Sequence, residues 1–235
     1  MIIDGAPATA LAVFAHPDDP EVACAGTLVR WSSAGAAVHL VITNLGEKGS
    51  MDPSADRFAL ADRRAGEADA AAGVMGLASH ELWGVADGEL ENTDVLRGRL
   101  VETIRRVKPE IVIAPDPTAV FFGQGYVNHH DHRALGWAVL DAVAPMAAHP
   151  LYFPEAGPAH QVTMLLLAGT LEPDTWIDVE ASLAAKADAV RCHASQLGDG
   201  ADLVDDVVAA RAADAGRDAG VRYAEGFRRL VFAAD

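Results

Sequence analysis

The sequence predicts an α/β fold, Rossmann-like, with a mainly parallel sheet flanked by helices. Two observations carry this. Short aliphatic runs alternate with longer segments of helical spacing, and the runs break into loops rich in Pro, Gly and Asp. No internal repeat or low-complexity linker divides the 235 residues, so 1–235 is read as a single domain.

Taken in order, Thr9 to Phe14 is apolar and short and stops at His16-Pro17-Asp18-Asp19-Pro20, where two prolines end regular pairing. Glu21 to Ser33 has helical spacing and closes at Gly35. Val38 to Thr43 is a second buried strand, and Asn44 to Pro53, with Gly46 and Gly49, is a loop. Asp56 to Leu77 is an Ala-rich amphipathic helix ending at Gly76, and Glu81 to Trp83 is a short strand. Thr93 to Val107 places Leu96, Leu100 and Ile104 on one helical face, and Lys108-Pro109 stops it before the strand Ile111 to Ala114. A loop from Pro115 to Asn128 leads to a helix from Asp131 to Val143. Strands follow at Val162 to Ala168 and Trp176 to Val179, and the tail from Leu183 to Arg229 reads as helix interrupted near Gly198 to Gly200.

Against 34 Asp plus Glu there are 18 Lys plus Arg, and a net charge of −16 repels a phosphate backbone, so no nucleic-acid partner is expected. Two cysteines without C-x-x-C spacing suit a reducing, cytoplasmic setting. No stretch reaches the roughly 18 apolar residues of a membrane span, so no membrane partner is expected. A homo-oligomer is compatible with everything above.

Sheets of this kind bind ligands where loops leave the carboxyl ends of strands. Two such loops are rich in metal-binding side chains. The first holds His16 and Asp19 on a proline-stiffened turn, and the second holds His129, His130, Asp131 and His132 in succession. His16, Asp19 and one histidine of the second loop supply two nitrogens and an oxygen, a set suited to Zn²⁺ that also accepts Fe²⁺, Co²⁺ or Mn²⁺. Three protein ligands leave an open position for a water whose pKa falls from 15.7 toward about 7. Asp18, beside Asp19, is then free to act as general base, and a spare histidine of the second loop can donate to an oxyanion.

Ala15-His16-Pro17-Asp18-Asp19 after the first strand, with His-x-Asp-His later, resembles the PIG-L / LmbE-like zinc-dependent N-deacetylase family. That family includes N-acetylglucosaminyl deacetylases and mycothiol conjugate amidase. Thr43 to Gly49, Arg64-x-x-Glu67, Asp87-Gly88-Glu89-Leu90 and Lys186 to Gln196 resemble further family segments. The resemblance implies His16, Asp19 and His132 as metal ligands, Asp18 as the base, His129 as the oxyanion-stabilising acid and Asp131 as a residue that orients a neighbouring imidazole. It implies Arg64 and Asp87 as contacts to sugar hydroxyls. The family's common His-Pro-Asp-His is here His129-His130-Asp131-His132, and Pro20 follows Asp19 where Glu is common.

The expected activity is metal-dependent hydrolysis of an acyl group, acetyl above all, from an N-acyl amino sugar or glycosylated small metabolite. A mycothiol S-conjugate type amidase uses the same site and stands as an alternative, as does a catalytically silent sugar- or metal-binding module. His130 reads as an exposed loop residue rather than a ligand, Arg64 and Asp87 also as a structural ion pair or solvated charges, and the four tryptophans as core or lid packing. A Rossmann oxidoreductase is disfavoured because Gly123-Gln124-Gly125 begins G-x-G but Asn128 replaces the last glycine. No G-x-S-x-G elbow or G-K-[ST] loop occurs.

Overall fold

A computed structural model describes residues 1–232. Seven strands form one sheet: β1 (Thr9–Phe14), β2 (Ala37–Asn44), β3 (Ser79–Val85), β4 (Ile111–Pro115), β7 (Met164–Ala168), β8 (Thr175–Asp178) and β9 (Ala224–Val231), in the order β3-β2-β1-β4-β7-β9-β8. β1 pairs in parallel with β2 and β4, β2 with β3, and β4 with β7. The α-helices are α1 (Asp19–Ser33), α2 (Arg57–Met75), α3 (Asp94–Val107), α4 (His130–Asp141), α5 (Leu183–Arg191), α6 (Ala194–Leu197) and α7 (Val204–Ala219), joined by short π and 3-10 turns, and a separate two-stranded hairpin is formed by β5 (Phe121–Phe122) and β6 (Tyr126–Val127). Strand alternation splits the core in two. Ala10, Ala12 and Phe14 of β1 join residues of α1, α2, α5 and α7, while Leu11 and Val13 join those of α3 and α4. The sheet is thus covered on both faces, which explains strands that are apolar throughout.

The helix limits follow local chemistry. The Asp56 carboxylate accepts from Phe58 N and Ala59 N, Gly76 turns left-handed at φ 66°, and Thr93 Oγ1 accepts from Leu96 N. Two expectations need correction. The tail is not helical to Arg229: α7 ends at Gly220, and Ala224–Val231 is a strand inserted between β7 and β8, antiparallel to both. Arg228 and Arg229 interrupt the apolar pattern there and hide the strand, although Phe227 is fully buried. The loop Pro115 to Asn128 also contains the hairpin, turned by Gly123 at φ 59°. Trp31 and Trp83 are core residues, but Trp137 is exposed on α4.

Candidate metal centre and cleft

β1 has β2 on one side and β4 on the other, so the chain leaves these neighbouring strands in divergent directions and opens a crevice at their carboxyl ends. The loop after β1 delivers His16 to Asp19 there, and the loop after β4 delivers His129 to His132 at the start of α4. His16 Nδ1, Asp19 Oδ2 and His132 Nε2 converge, although His16 and His132 lie 116 residues apart. The separations are 3.1 Å between the two nitrogens, 3.4 Å from His16 Nδ1 to Asp19 Oδ2, and 3.1 Å from His132 Nε2 to the same oxygen. A tetrahedral ion with ligand bonds of about 2.0–2.2 Å spaces its donors by about 3.3–3.6 Å, so small side-chain shifts let this tripod hold a divalent cation.

Each of the three side chains is held from behind. His16 Nε2 faces Asp87 Oδ1 at 3.1 Å and Asp131 Oδ2 at 3.5 Å. His132 Nδ1 donates to Asn128 Oδ1 at 3.0 Å, and the His16 backbone N–H donates to Asp19 Oδ2 at 2.8 Å. Burial opposes charge on Asp19, but His132 and His16 outweigh it and hold the carboxyl well below its usual range. Hydrogen bonding from His16 leads the influences that lower Asp87 to about 2, with burial working against it. Asp131 is fully buried and accepts from Asn44 Nδ2, Gly88 N and Leu90 N, so one carboxylate joins β2, the turn after β3 and α4. A second grouping, His16 with His129 and Asp131, also comes within 4.8 Å. There Asp131 is committed to the Asn44 side-chain amide and two backbone N–H groups, which makes the His16-Asp19-His132 set the better cation site.

Asp18 caps α1 in a left-handed conformation, φ 98°, an uncommon setting for a residue other than glycine. Its side chain makes no cap bond and instead accepts from Arg64 Nη2 at 3.1 Å. Burial and the charge of Asp19 push Asp18 up to about 6, against the pull of Arg64 and His193. His129 caps α4 with Nδ1, which accepts from Asp131 N at 3.3 Å and leaves the ring proton on Nε2. Burial and the neighbouring His16 hold its pKa below the usual imidazole value. Arg64 and Asp87 do not pair with each other. Arg64 is buried and also donates to Pro17 O and Gly46 O, while Asp87 backs His16 and accepts from Lys48 N. A Cβ at Gly46 would fall 1.9 Å from Arg64 Nη1, which explains the glycine there. His130 is exposed on the first turn of α4.

Sequence reasoning missed Asn128, Lys48 and the pair behind Asp18. His193 and Glu21 are both buried with His193 Nε2 3.2 Å from Glu21 Oε2, and Ser195 is bound by Glu67. The Arg64-x-x-Glu67 and Lys186 to Gln196 segments therefore meet behind the first loop. Two cavities open on the tripod and share Asp18, Asp19, Tyr126 and His132. The smaller, 430 Å³, is lined by polar residues including Lys48, Arg64, Asp87, His129 and Gln196. The larger, 790 Å³, runs between the ends of β4, β7 and β9 toward α7.

A cation tripod at the switch point of a doubly covered α/β sheet, with an ionisable carboxylate and an imidazole on its rim, defines a metal-site hydrolase architecture. The chain belongs to the PIG-L family, GlcNAc-PI de-N-acetylase, whose pattern matches residues 11–143. It is 30% identical over 223 residues to diacetylchitobiose deacetylase of Thermococcus kodakarensis, covering 93% of this chain and 81% of that one. It is 31% identical over 172 residues to 1D-myo-inositol 2-acetamido-2-deoxy-alpha-D-glucopyranoside deacetylase of Streptomyces avermitilis, covering 63% and 56%. The structure superposes on N,N'-diacetylchitobiose deacetylase from Pyrococcus horikoshii, complexed with its inhibitor MPG, with a TM-score of 0.86 at 28% identity, covering 96% of this chain and 84% of that one. The relatives are named deacetylases, and this chain is an enzyme of that kind. Among the described residues no helix is long and apolar enough to cross a membrane.

Proposed function

We propose that this protein hydrolyses the amide of an N-acyl amino sugar or a small metabolite bearing one, releasing a carboxylate and a free amine, in the cytoplasm. The carrying observation is the convergence of His16, Asp19 and His132 with Asp18 and His129 beside them. A divalent cation held by the three ligands, Zn²⁺ foremost with Fe²⁺, Co²⁺ or Mn²⁺ also suited, supplies Lewis-acid polarisation of the carbonyl and an acidified water. Asp18 takes the proton of the attacking water as its oxygen bonds to the carbonyl carbon. His129 donates from Nε2 to the carbonyl oxygen as charge develops there. Asp18 then returns the proton to nitrogen as the C–N bond breaks. Asp131 and Asp87 orient the His16 ring, and Arg64 fixes the Asp18 carboxylate and the loop carrying it. In this reading Arg64 acts through Asp18, while the rim formed by Lys48, Asp87 and Gln196 receives sugar hydroxyls.

Retention of both Asp18 and His129 beside the tripod favours an active enzyme over a silent binding module. The test is amine release from a panel of N-acyl glucosamine derivatives, before and after chelation and with each divalent ion restored. Release that vanishes with the metal and returns with one ion supports the reading. Turnover unaffected by complete metal removal would overturn it.

A further inference from the structure

The two cavities meet at Asp18, Asp19, Tyr126 and His132, so an N-acyl ring seated among Lys48, Asp87 and Gln196 leaves the rest of its substrate to pass the tripod into the larger one. That cavity carries a buried charge the protein does not balance. Asp116 follows β4, where its backbone N–H donates to Ala168 O of β7, and it is only 2% exposed. Its Oδ1 accepts from the Thr118 backbone N–H at 2.8 Å and the Thr118 hydroxyl at 2.6 Å, whereas Oδ2 has no donor among the described residues. The other acidic groups of the lining are accounted for. Arg64 holds Asp18, Lys186 holds Glu225, Asp19 belongs to the tripod, and Asp218 is exposed on α7, as is the oppositely charged Arg211. The same cavity presents the rings of Phe14, Phe122, Tyr126 and Trp176. A carboxylate oxygen in want of a donor, in a cavity with aromatic walls, is the chemistry that recognises an ammonium group. Trp176 Nε1 is a second buried polar atom without a partner, a donor for an oxygen of the same ligand. A Cβ at Gly226 would stand 3.2 Å from that nitrogen, so glycine leaves room beside it.

We infer that the larger cavity binds a second ring bearing a free amino group, its ammonium on Asp116 Oδ2 and a ring or hydroxyl oxygen on Trp176 Nε1, so that the preferred substrate is an N-acetylated amino sugar joined to an unacylated one. This rests on the proposed amide hydrolysis. Acetyl remains the group removed, and the selectivity lies in the half of the substrate that does not react. A hydroxyl in place of the ammonium also reaches Oδ2, but a neutral hydrogen bond is about half as strong as a charge-assisted one and leaves the buried carboxylate unpaired. An N-acetylated second ring forfeits the charge altogether. The volume of 790 Å³ has room for such a ring, and the net charge of −16 draws a cationic substrate toward the protein.

The experiment measures kcat/KM of the metal-loaded enzyme on both mono-N-acetyl isomers of chitobiose, on diacetylchitobiose, on N-acetylglucosaminyl-glucose and on N-acetylglucosamine, for the unaltered chain, Asp116→Asn and Gly226→Ala. Calorimetry of the metal-free protein with chitobiose, both amines free, and with cellobiose, which has none, reads the same contact without turnover. One mono-N-acetyl isomer is expected to exceed diacetylchitobiose and the glucose analogue by about tenfold, and chitobiose to outbind cellobiose by a similar factor. Asp116→Asn is expected to bring these ratios within about twofold of unity, and Gly226→Ala to lower the rate on every disaccharide relative to N-acetylglucosamine. The ranking in the unaltered chain needs no variant, so a poorly folded Asp116→Asn leaves the test intact. Equal rates with and without the second amine, or a preference that persists in Asp116→Asn, overturn the subsite and leave the hydrolysis standing. If no compound releases acetate, the hydrolysis fails, and the subsite falls with it unless chitobiose outbinds cellobiose in the unaltered chain and not in Asp116→Asn.

Discussion

Arg64 places Nη2 3.1 Å from Asp18 Oδ1 and 2.5 Å from Pro17 O, so one buried guanidinium holds both the carboxylate and the backbone of the first loop. Its other terminal nitrogen donates to Gly46 O at 2.9 Å and fixes the loop after β2 to the same point. Asp18 and its neighbours are thereby set by a residue that arrives from the middle of α2.

Asp18 accepts a proton only when ionised, so kcat/KM falls as the pH drops through its pKa, which burial, Asp19 and Glu21 raise and Arg64 and His193 lower, to about 6. Arg64→Gln removes a lowering charge and moves the acid limb of the pH profile up by about one unit. Asp18→Asn lowers kcat by about a hundred- to ten-thousandfold and flattens that limb, with metal content unchanged. An unshifted limb in Arg64→Gln would contradict the coupling.

Cation binding competes with a proton. Burial opposes charge on His16, but hydrogen bonds to Asp131, Asp19 and Asp87 outweigh it and raise the ring to about 12. At pH 7 the metal-free ring therefore holds a proton that a cation at Nδ1 must displace. Calorimetry in buffers of different ionisation enthalpy is expected to read the release of about one proton, with affinity weakening as the pH falls. His16→Ala, Asp19→Ala and His132→Ala each lose bound metal by elemental analysis.

His129→Ala is expected to lower kcat by about a hundred- to a thousandfold while the metal stays bound. Because burial and His16 lower its pKa, the ring works as a neutral donor, and His129→Gln recovers part of the rate with no new ionisation in the pH profile. Loss of metal from His129→Ala would reassign it as a ligand.

Arg105 of α3 is buried and donates to six carbonyl oxygens, those of Met146, Ala147, His149, Tyr152, Phe153 and Gly157, without a carboxylate partner. Arg105→Met strands these acceptors and is expected to cost about 3–5 kcal/mol in chemical denaturation. Arg105→Lys, with three donors, recovers part of that. Neither changes kcat/KM well below the melting temperature, since the loop lies away from the tripod.

Much of the frame was legible because its signals are local. β1, α3 and β4 follow from apolar runs and breakers within a few residues of each other, and the tripod from imidazoles and carboxylates crowded into two strand-end loops. What escaped depends on distant partners. Nothing in the helical spacing of Thr93 to Val107 singles out Arg105, whose acceptors lie on the loop from Met146 to Gly157. Arg64 and Asp87 read as candidate partners for each other, whereas the fold sends one to Asp18 and the other to His16. β9 was obscured because Glu225, a poor strand residue in isolation, is neutralised by Lys186 from α5 and two amides of α1.

Among the described residues, and apart from a single bridge to Ile2, the edge strand β8 is paired only through β9. During translation β8 thus leaves the ribosome before its neighbour exists, and Ala224, Glu225 and Gly226, which close one side of the larger cavity, follow only after α7. The loops that carry His16, Asp19 and His132 are already made by then. The tripod and one wall of the larger cavity are in this way assembled at different times, and truncation before Ala224 is expected to open the second while leaving the first in place.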